Sequence, residues 1–141
     1  MISPLLAGLQ LDDTFVLAWD RSADALTFFV LASLLPGHPE YSPPAEGEWS
    51  CYRAGLIQFR GVTSVVDLRA QASVAPTTDA AGAVDYGCID HLSMTEPGKY
   101  RFCGEFGTVS VAAEQVVVIL APPPDRPGEP RLPDVEENCT R

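Results

Sequence analysis

The segment from Leu26 to Val62, LTFFVLASLLPGHPEYSPPAEGEWSCYRAGLIQFRGV, holds two strongly apolar runs joined by a proline-rich loop. Successive side chains of an extended chain point to opposite faces, so Leu26, Phe28, Val30, Ala32 and Leu34 share one face of the first run. The other face carries Thr27, Phe29, Leu31 and Ser33 and is also largely apolar. A strand apolar on both faces is central and covered on both sides, or belongs to a sheet that closes on itself. The second run, Cys51 to Arg60, sets Tyr52, Ala54 and Leu56 against Cys51, Arg53, Gly55, Ile57 and Phe59. Both runs read as core strands.

Upstream, Phe15, Leu17 and Trp19 alternate with Thr14, Val16 and Ala18, which predicts a further strand before a turn over residues 20–24. Downstream, Ser64 to Ala72 fits a strand better than a helix, because Val62, Val65 and Val66 are β-branched. Gln71 to Gly82 is small, polar and turn-prone, hence a loop. Val84, Tyr86, Cys88, Leu92 and Met94 form one face of the next strand, interrupted by Asp90, and Pro97-Gly98 closes it. Tyr100, Phe102, Gly104 and Phe106 then alternate with Lys99, Arg101, Cys103 and Glu105, the pattern of a half-exposed antiparallel strand. A last hairpin turns Val109 and Val111, then Val116, Val118 and Leu120, inward. Seven or eight short strands at turn-punctuated spacing predict an all-β, mostly antiparallel single domain over residues 1–121, a sandwich or open barrel. Its expected core includes Phe15, Leu17, Phe28, Val30, Ile57, Phe102, Val109 and Val118. Residues 122–141 hold six of the 13 prolines and only Leu132 and Val135 as aliphatic side chains, which predicts a disordered tail.

Composition narrows the function classes. The 141 residues suffice for one domain with a real core, and 46% apolar with 20% charged residues is globular. A net charge of −10 argues against nucleic-acid binding, which needs basic surface. It favours solubility and steers association towards a basic partner. No membrane or export signal is visible: Asp12 and Asp13 arrive too early for a signal h-region, and the run Phe28 to Leu35 is too short to span a bilayer. A cytoplasmic location is the expectation. Cys51, Cys88, Cys103 and Cys139 are widely spaced with no CxxC pair, so zinc-ribbon and thioredoxin-like readings fall away and reduced thiols are expected for the first three.

The loop from Pro36 to Trp49 is where activity would most naturally sit. Four prolines, Pro36, Pro39, Pro43 and Pro44, stop either flanking strand from continuing through it. A connection this long is uncommon in a compact domain and is often functional. Its candidate binding residues are His38, Glu40, Tyr41 and Trp49, the two aromatics serving as interface anchors or as pins that hold the loop over a sheet edge.

Motifs for dinucleotides, phosphate loops, zinc proteases, serine hydrolases and calcium loops are all missing, and no cofactor is implied. His38 and His91 are the only histidines. In Cys88-Ile89-Asp90-His91-Leu92-Ser93, strand alternation turns Cys88 and Asp90 away from His91 and Ser93, which defeats a local metal site or a Cys–His nucleophile. A metal would have to draw His91 together with His38 and Glu40. Glu46 and Glu48 have nothing nearby in the sequence to split their acidities into an acid/base pair.

Residues 36–62, PGHPEYSPPAEGEWSCYRAGLIQFRGV, preceded by LDDTFVLAWDRSADALTFFV, resemble a family of short uncharacterised bacterial proteins. More loosely, the early hairpin followed by Phe59-Arg60-Gly61-Val62 is similar to small β-rich immunity proteins of bacterial toxin systems. That resemblance implies a non-catalytic module that binds and masks one protein partner, such as a basic toxin. The other class left open is a small-molecule or metal-binding β-barrel, in which His38 and His91 would meet at a pocket.

Overall fold

The structure, a computed structural model, describes residues 6–44, 46, 50–78, 80 and 82–122. Among the described residues the chain forms β1 (Phe15–Arg21), β2 (Ala25–Leu34), β3 (Cys51–Arg60), β4 (Ser64–Val66), β5 (Thr77–Thr78), β6 (Val84–Asp85), β7 (His91–Glu96), β8 (Lys99–Gly104), β9 (Gly107–Ala112) and β10 (Gln115–Leu120). Eight of these build two four-stranded antiparallel sheets, ordered β1-β2-β3-β10 and β4-β9-β8-β7, while β5 and β6 make a two-residue ladder. The all-β, antiparallel expectation is met, whereas of the strand expected over Ser64–Ala72 only Ser64–Val66 forms, and Gln71–Ser73 is a 3-10 turn. The tail expected over residues 122–141 lies, beyond Pro122, outside the described residues.

Turn chemistry explains the hairpins. Pro97-Gly98 joins β7 to β8 with Gly98 at φ +79°, a left-handed conformation that glycine adopts without steric penalty. β2 and β3 pair over ten residues, from Ala25 opposite Arg60 to Leu34 opposite Cys51, the longest ladder in the molecule. β2 is therefore central, as its sequence demanded.

The sheets meet face to face through aromatic rings. The Phe28 ring lies 4.7 Å from both Phe102 and Phe106, and Phe59 lies 5.5 Å from Tyr100. Phe28, Phe59, Phe102 and Phe106 are fully buried. Each such side chain contributes about 1.5–3 kcal/mol by burial, and favourable ring pairs add about 0.5–1.5 kcal/mol. These rings fill the interior that a barrel would need for a ligand.

Two expectations fail. Phe15 and Leu17 are not in the core, which takes Val16 and Trp19 instead. The ladder pairs Val16 with Val30 and Ala18 with Phe29, so Leu17 is an extra residue in β1. That bulge resets the alternation and lets residues three apart share the inner face. The strand expected from Val84 to Met94 is also broken. Gly87, at φ +83°, carries residues 86–89 along the edge of β1, where Tyr86 donates to the Val16 carbonyl and Ile89 to the Thr14 carbonyl. Ile89 is consequently fully buried rather than outward.

Candidate functional site

The proline loop is fastened to the body. Leu35 N–H donates to the Gly8 carbonyl (2.8 Å), His38 N–H to Leu35 (2.8 Å) and Tyr41 N–H to His38 (3.0 Å). Glu40 N–H donates to Nδ1 of His38 at 2.9 Å. Gly8 sits at φ +82°, and a Cβ there would come within 2.8 Å of the His38 Cβ, so the loop rests directly on this backbone. The Arg53 guanidinium reaches the Glu40 carboxylate at 3.1 Å and donates to the Ala121 carbonyl at 2.9 Å. One side chain thus ties the loop to the ends of β3 and β10.

Of the four candidate residues, His38 and Glu40 line an open cleft of about 570 Å³ with Arg53, Leu120 and Pro122. Tyr41 is half-buried and packs against the core. Trp49 lies outside the described residues, as does Glu48. The loop's one described aromatic ring, Tyr41, thus packs on the core, while His38 and Glu40 face the cleft.

The histidines do not meet in that cleft. His91 stands on β7, opposite Cys103, with Nε2 2.8 Å from the Ser93 hydroxyl on the same outer face. The cleft beside His38 does not include it. Among the described residues no group of three or more His, Cys, Asp or Glu side chains is placed to hold a metal ion.

A polar cluster that the sequence did not single out closes one end of the first sheet. Asp13, in the 3-10 turn Leu11–Asp13, accepts hydrogen bonds from Ser33 Oγ (3.0 Å), Ser50 Oγ (2.8 Å) and the Tyr52 hydroxyl (3.0 Å). The carboxylate satisfies the fully buried Ser33 and holds the starts of β3 and β1 together. Burial, then the bond to Asp13, raises the Tyr52 hydroxyl above its ordinary pKa. Cys88, beside this group, is pushed up to about 11 by burial and by the charges of Asp13, Asp85, Asp12 and Asp90. Three hydroxyls from separate parts of the chain converge on one carboxylate, which makes the cluster a structural clamp.

The largest chemical contrast is between the two outer faces. On the β4-β9-β8-β7 sheet, Lys99, Arg101, Thr108, Ser110 and His91 point outward and are exposed. On the β1-β2-β3-β10 sheet, the middle of the outer face is apolar, with Phe15, Phe29, Leu31, Leu56 and Ile119 and the Tyr52 ring 5.9 Å from Phe15, between Thr27 and Gln58 at one end and Ser33 at the other. The register sets Phe15 beside Leu31 and Phe29 beside Leu56 and, one strand further, Ile119. Among the described residues these stand outside the core cluster, and Ile119 is 45% exposed. Gln58, Gln115 and Arg60 border them along one end. An apolar centre with a polar rim is the anatomy of a protein interface, whereas a solvated sheet face alternates towards polar side chains.

The chain matches no family model, and no curated protein or solved structure is similar to it.

Proposed function

We infer that this domain is a non-catalytic binding module whose contact surface is the apolar outer face of the β1-β2-β3-β10 sheet. The observation that carries the reading is the face itself, centred on the half-buried Phe29, Leu31 and Leu56 and the exposed Ile119, all of which stand outside the core cluster. Contiguous apolar surface is costly to expose and marks interaction sites. The proline loop serves this surface indirectly, by bracing the ends of β3 and β10 through Arg53. The net charge of −10 supports a basic partner, and an immunity-like inhibitor that masks a basic toxin is the most specific form of this proposal.

The test compares the two faces. The tagged domain captures its partner from host extract, and the capture is repeated with Leu31→Lys, Leu56→Lys and, on the opposite sheet, Ser110→Lys. The first two are expected to lose the partner while keeping their melting temperature, and the third to retain it. Retention by all three variants refutes this face as the contact surface.

A further inference from the structure

We propose that the open edge of β10 is a self-association site, through which two copies of this chain pair antiparallel into one continuous eight-stranded sheet. The edges of the two sheets are not alike. The edge of β1 is occupied by residues 86–89, and β4 is only three residues long. β7 ends on the exposed Thr95 and Glu96. β10, QVVVIL, pairs with β3 on one side, and no described residue bonds to its other side. A long, apolar, unpaired edge is the feature that natural sheets otherwise suppress.

The register of β10 makes it complementary to itself. Ala121 N–H donates to the Ala54 carbonyl at 2.8 Å and Glu114 N–H to the Arg60 carbonyl at 2.9 Å. Antiparallel alternation then turns the backbone groups of Val117 and Ile119 towards β3, and those of Val116, Val118 and Leu120 towards the open edge. A two-fold axis at Val118 pairs Val118 with Val118, and Val116 with Leu120, of the second copy. All three outward residues of each chain are satisfied at once. On the outer face that register sets Val117 beside Ile119 of the second copy.

Charge and chain path select this occupant. Residues 115–121 carry no charged side chain, so pairing two copies here sets no like charges opposite each other across the new ladder. The alternative cover is the chain's own continuation past Pro122. Prolines at 123, 124, 127, 130 and 133 deprive that segment of the donors a ladder needs. Pro122 also ends the paired stretch. The cleft flanked by His38 and Glu40 runs beside Val118 to Pro122. Because the β1 edge is occupied, pairing stops at two copies and does not propagate. The proposal does not depend on Phe29, Leu31 and Leu56 at the centre of the partner-binding face, with which it shares only the bordering Ile119; it would join two such faces side by side.

Sedimentation equilibrium on the full chain tests it. The expected result is a reversible shift from the 15.1 kDa monomer to twice that mass with rising concentration. Over the same range, hydrogen exchange should slow at the amides of Val116, Val118 and Leu120. Ile119→Lys or Val117→Glu alone should raise the dissociation constant by roughly tenfold or more. Mixed together, the two variants should form the heterodimer in excess over either homodimer by native mass spectrometry, since the ammonium introduced in one chain then meets the carboxylate introduced in the other. Ser110→Lys should leave the equilibrium unchanged. A chain that stays monomeric at millimolar concentration overturns the proposal, as does a dimer indifferent to both single variants or a statistical 1:2:1 mixture. A monomer that still captures another protein through Leu31 and Leu56 overturns self-association while sparing the binding reading.

Discussion

Replacing Asp13 with Ala tests whether one carboxylate clamps the end of the first sheet. Three hydroxyls donate to it, from Ser33, Ser50 and Tyr52, at 2.8–3.0 Å. A hydrogen bond to a charged acceptor contributes about 1.5–3 kcal/mol in isolation, but the three share one acceptor and do not add. Ser50 and Tyr52 are half-exposed and regain water when the carboxylate is removed. Ser33 is fully buried and does not. Its orphaned hydroxyl should cost about 1–3 kcal/mol, and the two partly solvated bonds should add about 1 kcal/mol together. The expected loss is therefore ~2–4 kcal/mol, a fall in melting temperature of roughly 10 °C for a domain of this size. Urea unfolding of the wild type, Asp13→Ala, Ser33→Ala and the double variant measures it. Ser33→Ala should be destabilising in the wild type and neutral or stabilising beside Asp13→Ala, because it then deletes an unpaired donor. Strictly additive effects, or a loss below ~0.5 kcal/mol for Asp13→Ala, would refute the clamp.

Cys88 has a raised thiol, so alkylation at this site should be slow at pH 8 and accelerate towards about 11. The linkage sign follows: the unfolded thiol ionises near 9.0 and the folded one higher, so stability is flat below pH 9 and falls between 9 and about 11. The raised Tyr52 pushes the same way, and a melting temperature that rises across that window would contradict both. Tyr41→Ala should lower stability by about 2 kcal/mol, since the ring packs on the core, and leave capture of the partner unchanged; the reverse pattern would return the loop to the interface. Truncation after Ala121 should shift the melting temperature by no more than a degree or two, given the proline density beyond it; a large fall in differential scanning calorimetry would mean that this segment packs on the domain.

The central position of β2, the pairing of Ile57 and Phe59 on one face and the inward set of Tyr100, Phe102, Val109 and Val111 all follow from period-two alternation and turn residues. Phe15 and Leu17 escape that rule because a single inserted residue inverts the alternation, and nothing in VLAW marks which residue is extra. Residues 84–94 depart from it for a related reason. Gly87 at positive φ breaks the run, and an isolated glycine in a strand pattern is the one signal that pointed there. The Asp13 clamp was not legible at all. Its donors lie 20, 37 and 39 residues away along the chain, so only the fold assembles it. A serine that interrupts the apolar run of β2, at position 33, was the available hint, since a buried hydroxyl must find a partner.

The two-faced apolarity of β2 predicts a strand covered on both sides, and the structure covers its outer face only in part, at Thr27 and beneath the Asp13 cluster at Ser33. That discrepancy carries the functional argument. The inner face of β2 meets Phe102 and Phe106, while on the outer face Phe29 and Leu31 stand outside the core cluster. A face that only had to be wet would be expected to alternate to polar residues, as Lys99, Arg101 and Ser110 do on the other sheet. Here the polar residues sit at the two ends, Thr27, Gln58, Gln115 and Arg60 at one and the Asp13 cluster at the other. The net charge of −10 makes such a face tolerable in solution, because like-charged copies repel before their apolar centres can meet. The proposed partner of opposite charge would fit that face, and the proposed pairing of two copies at β10 would act against the net repulsion through backbone bonds and uncharged side chains alone.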